Sequence, residues 1–380
     1  MALIDYRETK MKIGVIGAGR LGICFALLLE QAGYDVIVSD VRDEYVIGLN
    51  NRAIKTNEPE VADLLDDAKN FTAVLDNVEV IKNADIIYTL VPTPSLPDGS
   101  YDVSAVWQVV ADIQSCEFPL SNKSFVVGCT TNPGDCELFQ TQLNPYGVDV
   151  YYNPEFIAQG SIIKDLRYAD MVLIGGEGQH LNAIKEIYSK IQVIPPSIHT
   201  MSTTSAELVK LAVNCFLTTK ISYANMVGEV MALSGRESEI DKVLKAIGAD
   251  SRVGSKYLKF GYGYGGPCLP RDNRSFAAYA KKLGLEYNLG STTDDFNNEH
   301  ARFLVEYFVK KNEKNLPFCF HYISYKEGTD ILEESQQYRL CLDLLDQGYK
   351  VYVVEDLVRS YCDDRIIFGI PCEEVFWIEL

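Results

Sequence analysis

The six residues Gly17-Ala18-Gly19-Arg20-Leu21-Gly22 constrain the fold more than any other stretch of the chain. They follow a short apolar run (12–16) and open an apolar, helix-patterned segment reaching residue 31. Gly33 is placed to cap that helix, and a second apolar run (36–39) ends on Asp40. In a strand–turn–helix–strand unit, glycines at these spacings permit a tight turn, close approach to a pyrophosphate, and close packing of helix on strand. The helix N-terminus offers oriented N–H donors and partial positive charge to a phosphate. Asp40 is spaced to accept hydrogen bonds from a ribose diol, which favours NAD over NADP. Arg42, two residues on, leaves a small opening for NADP. Gly17, Gly19, Arg20, Leu21, Gly22 and Asp40 are thus the predicted core of a cofactor site.

Further apolar runs at 85–91, 124–128, 149–152 and 171–175 alternate with helix-like segments. That alternation predicts a doubly wound α/β fold with a Rossmann-type parallel sheet. The segments VPTPS (91–95) and CTTNPG (129–134) follow two of these strands, where such sheets bind ligands. Taken alone, each is equally well an ordinary loop.

At 380 residues the chain exceeds what one core supports, so more than one domain is expected. A formal charge of −18 argues against a nucleic-acid surface. No apolar run is long enough to predict a membrane span, and the opening MALIDYRETK lacks the pattern of a signal peptide. The ten cysteines show neither CxxC pairs nor metal-ligand spacing. A cytoplasmic protein with reduced thiols and no metal is the resulting expectation.

Two other stretches carry chemistry. Residues 203–235 pattern as one helix of about 45 Å, with Thr204 and Glu207 as a capping box and Gly235 as its stop. Lys210 and Asn214 lie four apart and share a face among apolar neighbours. The lysine is either a desolvated base or a side chain snorkelling to solvent. Residues 261–273, GYGYGGPCLPRDN, surround Cys268 with glycine and proline. This is either a turn with an incidental thiol or a presented nucleophile.

Together, GAGRLG with Asp40, VPTP, NPEFIAQGS (153–161), AELVKLAVN (206–214) and GYGYGGPCLPRD resemble the UDP-glucose/GDP-mannose dehydrogenase family, in the family's order, from about residue 11 to 356. The resemblance implies NAD-dependent, four-electron oxidation of a nucleotide-sugar C6 alcohol to a carboxylate. By it, Cys268 is the nucleophile that forms a thiohemiacetal and then a thioester. Lys210 and Asn214 attend the C6 oxygen, Glu155 is the base for the hydrolytic water, and Thr130 with Asp272 orders water. It adds Val91, Pro92, Thr93, Cys129 and Gln159 to the cofactor site. Phe156, Ile157, Arg252, Tyr257, Lys259, Tyr262, Gly263, Gly265, Tyr325 and Lys326 become substrate contacts, Arg252 reaching a neighbouring subunit. A homodimer or higher homo-oligomer follows. The implied domains are an extension (1–10), an NAD-binding domain (11–200), a central helical dimerisation domain (201–300), and a shortened α/β nucleotide-binding domain (301–380).

Some positions depart from the family's pattern. Gln159 stands where an acid is common, Cys129 replaces a serine, and Glu333 replaces an arginine. The last domain shows only two clear strands (318–324 and 350–356) around one helix, and later strands are expected to be missing. NPEFIAQG favours UDP-glucose as substrate, with GDP-mannose or another nucleotide hexose as the alternative. A two-electron alcohol dehydrogenase and a non-catalytic NAD- or sugar-binding remnant are the rival readings.

Overall fold

The computed structural model describes residues 10–157 and 160–380. It divides into two compact units, one of residues 1–96 and 101–210, the other of 97–100 and 211–380. Residues 1–9 and the predicted cofactor contact Gln159 lie outside the described residues.

The first unit is built on eight strands: β1 (Lys12–Ile16), β2 (Asp35–Ser39), β3 (Phe71–Val74), β4 (Ile86–Thr89), β5 (Ser124–Val127), β6 (Asp149–Tyr152), β7 (Met171–Gly175) and β8 (Ser197–Met201). They lie in the order β3-β2-β1-β4-β5-β6-β7-β8. Pairing is parallel except where β7 meets β6 antiparallel, Tyr152 opposite Gly175. Strands alternate their side chains between faces, and both faces here are apolar. Ile13, Ile86, Tyr88, Val126 and Tyr151 enter one core with the helix Arg20–Gln31. Ile16, Ile87, Phe125, Val127 and Tyr152 enter the other with the helices Ser104–Gln114 and Asp135–Leu143. This is the doubly wound arrangement that the alternating pattern predicts. Strands β3 and β8 were not recognised in the sequence. β3 is only four residues long, and β8 (SIHTM) is largely exposed and has no buried apolar run.

The predicted long helix is present as Thr203–Leu233, 31 residues. Its start differs from the expected capping box. Ser202 Oγ accepts the Ser205 N–H (3.3 Å), Thr204 instead donates to Glu137 (2.6 Å), and the Glu207 carboxyl turns away from the helix end. Gly235 follows the helix at φ +73°, in the left-handed region where glycine ends helices without strain.

In the second unit, one apolar core joins residues from Ala224 to Ile378. Its sheet has four parallel strands, β9 (Phe318–Phe320), β10 (Val351–Val353), β11 (Ile367–Phe368) and β12 (Phe376–Trp377), in the order β11-β10-β9-β12. The expectation that strands after 356 are missing is therefore corrected. The last two are two-residue edge strands, too short to carry a periodic signal. No helix among the described residues is long and apolar enough to cross a membrane.

Candidate active site

The first constellation lies at the C-terminal ends of β1 and β2. Gly17 and Ala18 N–H groups both donate to Ser39 O (2.9 and 3.1 Å), hooking the turn onto the end of β2. A Cβ on Gly22 would lie 1.9 Å from Gly17 O, so only glycine lets the helix begin this close to the turn. A Cβ on Gly19 would meet nothing within 4 Å, so the loop's middle is open. Its residue caps the helix Arg20–Gln31, whose first turn holds Arg20 and Leu21. An open glycine turn feeding a helix N-terminus fits a pyrophosphate.

Asp40 is nearly buried, and Arg42 closes on it: Nε to Oδ1 at 2.7 Å and Nη2 to Oδ2 at 2.8 Å. The Arg42 N–H also donates to Oδ1 (3.1 Å). Burial pushes this carboxyl up, but the Arg42 side chain and N–H outweigh it and hold it below its ordinary range. The guanidinium that left room for NADP is thus occupied by the acid and lies over the Tyr45 ring (4.1 Å). Val91, Pro92 and Thr93 follow β4, and Cys129 and Thr130 follow β5, on adjacent parallel strands. Cys129 is held neutral, its thiol pushed up to about 12 by burial.

The second constellation, also in the first unit, gathers around NPEF. Lys210 Nζ donates to Glu155 O (2.9 Å) and sits 4.8 Å above the Phe156 ring. The snorkelling alternative is set aside, because Lys210 is only 7% exposed. The Glu155 carboxyl meets the Tyr188 hydroxyl (2.7 Å), which also meets Asn153 Oδ1 (2.8 Å). Burial pushes Glu155 up to about 7, partly offset by Tyr188 and then by the Lys210 charge. Ile157 packs at the edge of the adjoining core.

Glu207, fully buried, accepts from Thr131 Oγ1 (2.8 Å), Gly134 N–H (2.7 Å) and Cys136 N–H (3.0 Å). It therefore ties the loop bearing Thr130 to the long helix, three residues before Lys210. Burial pushes this carboxyl up to about 7 against those donors.

The third constellation belongs to the second unit. Cys268 is exposed and caps the helix Leu269–Lys282. The dipole at such an end favours negative charge. One turn on, Asp272 donates its N–H to Cys268 O (2.9 Å), and its Oδ2 accepts from Asn214 Nδ2 (2.5 Å). Three side chains hold the loop's backbone. Asn225 accepts from Gly261 N–H (3.0 Å) and donates to Tyr262 O (3.3 Å). Asn297 accepts from Tyr264 N–H (2.9 Å) and donates to Tyr264 O (3.0 Å). His300, with Glu229 on its other ring nitrogen (2.6 Å), meets Gly261 O at 2.7 Å.

Three glycines of this loop are crowded by protein. A Cβ on Gly263 would lie 2.2 Å from Asn297 Oδ1, and one on Gly265 2.3 Å from Glu334 O. At Gly266 it would lie 2.4 Å from the Tyr325 ring. A backbone stripped bare for ligands is not required to explain those three residues.

The remaining predicted contacts belong to the second unit. Arg252 makes an exposed ion pair with Asp250 (2.7 Å). Tyr257 is 52% exposed at φ +61°, and Lys259 donates to Leu380 O (3.1 Å). Tyr262 packs on the core of the second unit, while Lys326 is exposed. Asn153, Tyr188 and Glu207 were not recognised as site residues. A tyrosine on the inward face of the amphipathic helix Leu181–Ile191 was the available signal, since a buried phenol needs a polar partner.

These features define a Rossmann-type dinucleotide-binding protein with a second unit that presents a thiol. Residues 11–192 match the NAD-binding domain of the UDP-glucose/GDP-mannose dehydrogenase family, and residues 204–299 its central domain. The chain is 30% identical over 357 residues to the Bacillus subtilis protein YtcA, covering 91% of this chain and 81% of that one. It is 28% identical over 372 residues to the UDP-glucose 6-dehydrogenase AglM of Haloferax volcanii (93% and 85% covered). A solved UDP-glucose dehydrogenase from Pyrobaculum islandicum superposes with a TM-score of 0.85 at 26% identity, covering 97% of this chain and 88% of that one. The chain belongs to the UDP-glucose/GDP-mannose dehydrogenase family and is an NAD-dependent oxidoreductase.

Proposed function

We propose that the chain is a UDP-glucose 6-dehydrogenase, oxidising the C6 alcohol of the nucleotide sugar to a carboxylate. The observation that carries this reading is the thiol of Cys268, exposed at a helix N-terminus on a loop held by Asn225, Asn297 and His300. A merely structural cysteine is usually buried and needs no such support. The relatives named for UDP-glucose oxidation, AglM and the Pyrobaculum islandicum enzyme, favour that sugar over the alternative hexoses.

NAD, held by the glycine turn and Asp40, supplies when bound the acceptor for the hydride lost from C6 in each oxidation. The chain's own groups handle protons and carbon. Lys210 and Asn214 stabilise the C6 oxygen as its proton departs and an aldehyde forms. Cys268 Sγ bonds to the aldehyde carbon, giving a thiohemiacetal whose oxidation leaves a thioester. Glu155, poised near neutrality, takes a proton from water. The resulting hydroxide bonds to the thioester carbon as the C–S bond breaks, releasing the carboxylate and restoring the thiolate. Thr130 and Asp272 order the water, and Arg252, Tyr257, Lys259, Tyr262, Gly263, Gly265, Tyr325 and Lys326 contact substrate.

We further propose a homodimer through the long helix. Phe216, Tyr223, Met226, Val230 and Leu233 recur at spacings of seven, three, four and three and are 44–78% exposed. That is a heptad seam with apolar residues facing outward.

The test is NADH yield per sugar consumed across UDP-glucose, GDP-mannose and N-acetylated UDP-hexoses. Two NADH per UDP-glucose, with acid formation abolished in Cys268→Ser, is expected. A yield of one identifies a two-electron enzyme, a yield of none a binding protein, and wild-type acid from the serine variant removes the covalent route.

A further inference from the structure

Three groups in the first unit share fewer hydrogens than their geometry asks for. Tyr188 Oη stands 2.7 Å from Glu155 Oε1 and 2.8 Å from Asn153 Oδ1. Asn153 is oriented by its Nδ2, which donates to Leu173 O (2.9 Å), so the atom facing Tyr188 is an acceptor. A phenol carries one hydrogen and can give it to one acceptor at a time. With Glu155 ionised, that hydrogen goes to the carboxylate and Asn153 Oδ1 loses its donor. With Glu155 protonated, its O–H donates to Tyr188 Oη, and Tyr188 donates onward to Asn153. All three are then satisfied. Tyr188 and Asn153 are buried at 2% and 1% exposure, where an unmet acceptor is costly.

We propose that Tyr188 is a positioning residue whose hydroxyl switches from Asn153 to Glu155 as Glu155 gives up its proton, so that one phenol accepts from the neutral acid and donates to the base. The inference rests on the reading of Glu155 as the hydrolytic base. The switch moves no heavy atom: one C–O–H rotor turns, and the carboxyl proton passes to bulk water. It gives one residue two settings, a neutral acid and a base, without rebuilding the site. The titratable groups facing Glu155 are the Tyr188 phenol, the Lys210 ammonium, which favours the ionised form, and the fully buried Tyr88 phenol. Burial disfavours that ionised form and leaves the group titrating near neutral pH.

Difference infrared spectroscopy of the ligand-free protein between pH 5 and 9 reads the carboxyl directly. The expected result is a protonated-carboxyl C=O signal that disappears as pH rises through roughly neutral, of which the Glu155 part is lost in Glu155→Gln while the Glu207 part remains. Tyr188→Phe leaves Asn153 Oδ1 without its donor in both states and removes the bond to the carboxylate, and the bond to the charged acceptor is the larger effect. It should make ionisation roughly tenfold harder, moving the midpoint upward by about one pH unit. The rising limb of acid formation should move with it, while the yield of NADH per sugar at high pH stays unchanged. A wild-type minus Glu155→Gln difference without that band, or a Glu155 midpoint unmoved in folded Tyr188→Phe, overturns the switch. Should Tyr188→Phe not fold, the wild-type minus Glu155→Gln difference decides by presence or absence of the band. Failure of the proposed function shows separately, as no NADH from any nucleotide sugar beside an intact infrared titration.

Discussion

Replacing Gly266 by alanine separates two explanations of the glycine-rich loop. Gly266 has φ +80°, and a Cβ there would lie 2.4 and 2.7 Å from two carbons of the Tyr325 ring. Holding an L-residue in the left-handed region costs about 1–2 kcal/mol. Displacing a packed ring adds about 1–3 kcal/mol of overpacking. The Tyr325 N–H is bonded to Ile331 O (3.0 Å), which limits how far that ring can retreat. Together the loss is about 2–5 kcal/mol, or about 4–20 °C in melting temperature for a unit of this size. Gly261, in the same loop, is the control. Its Cβ would approach nothing closer than 4.0 Å and its φ is not positive, so Gly261→Ala should stay within about 0.5 kcal/mol of the parent. Scanning calorimetry on both variants, with NADH assays alongside, gives the answer. If the glycines are bare only to admit ligands, both variants lose activity and neither loses stability. A Gly266→Ala protein that melts with the parent refutes the packing argument.

Glu207→Ala should cost about 3–5 kcal/mol, because Thr131 Oγ and the N–H groups of Gly134 and Cys136 lose their buried acceptor; denaturant unfolding checks it, and a loss below about 1 kcal/mol contradicts it. Stability should fall as pH rises from 4.5 to about 7, because Glu155 and Glu207 titrate near 7 when folded and near 4.5 when unfolded. The folded chain holds the extra protons in that window, so the contribution is complete below it and lost above, by up to about 3 kcal/mol per group. Melting curves across pH should show a shallower decline in Glu155→Gln than in the parent; equal slopes contradict the assignment. Placing aspartate at Phe216 and Val230 puts charge on the apolar seam and should convert a dimer to monomer by light scattering, whereas an unchanged mass rules that seam out.

The dinucleotide-binding half was legible residue by residue, because its constraints are local. The glycine turn, the helix Arg20–Gln31 and Asp40 fall within one strand–helix–strand unit, and the period of its apolar residues states which face is buried. The long helix was legible for the same reason, except at its start. The Thr204–Glu207 spacing satisfies the capping pattern, yet Glu207 finds three donors on a loop and the helix it opens, more than seventy residues earlier. Strands of two residues, such as β11 and β12, left no pattern to read.

Sequence alone determined the class of fold, the cofactor turn and which residues bear reactive groups, since each follows from chain geometry over a few turns or strands. Tertiary structure alone decided what those groups touch. It turned Arg42 onto Asp40, filled the space beside the loop glycines with Tyr325, Glu334 and Asn297, and set one phenol between Glu155 and Asn153. Hydrogen-bond partners and desolvation come from residues distant in the chain, and periodicity carries no record of them.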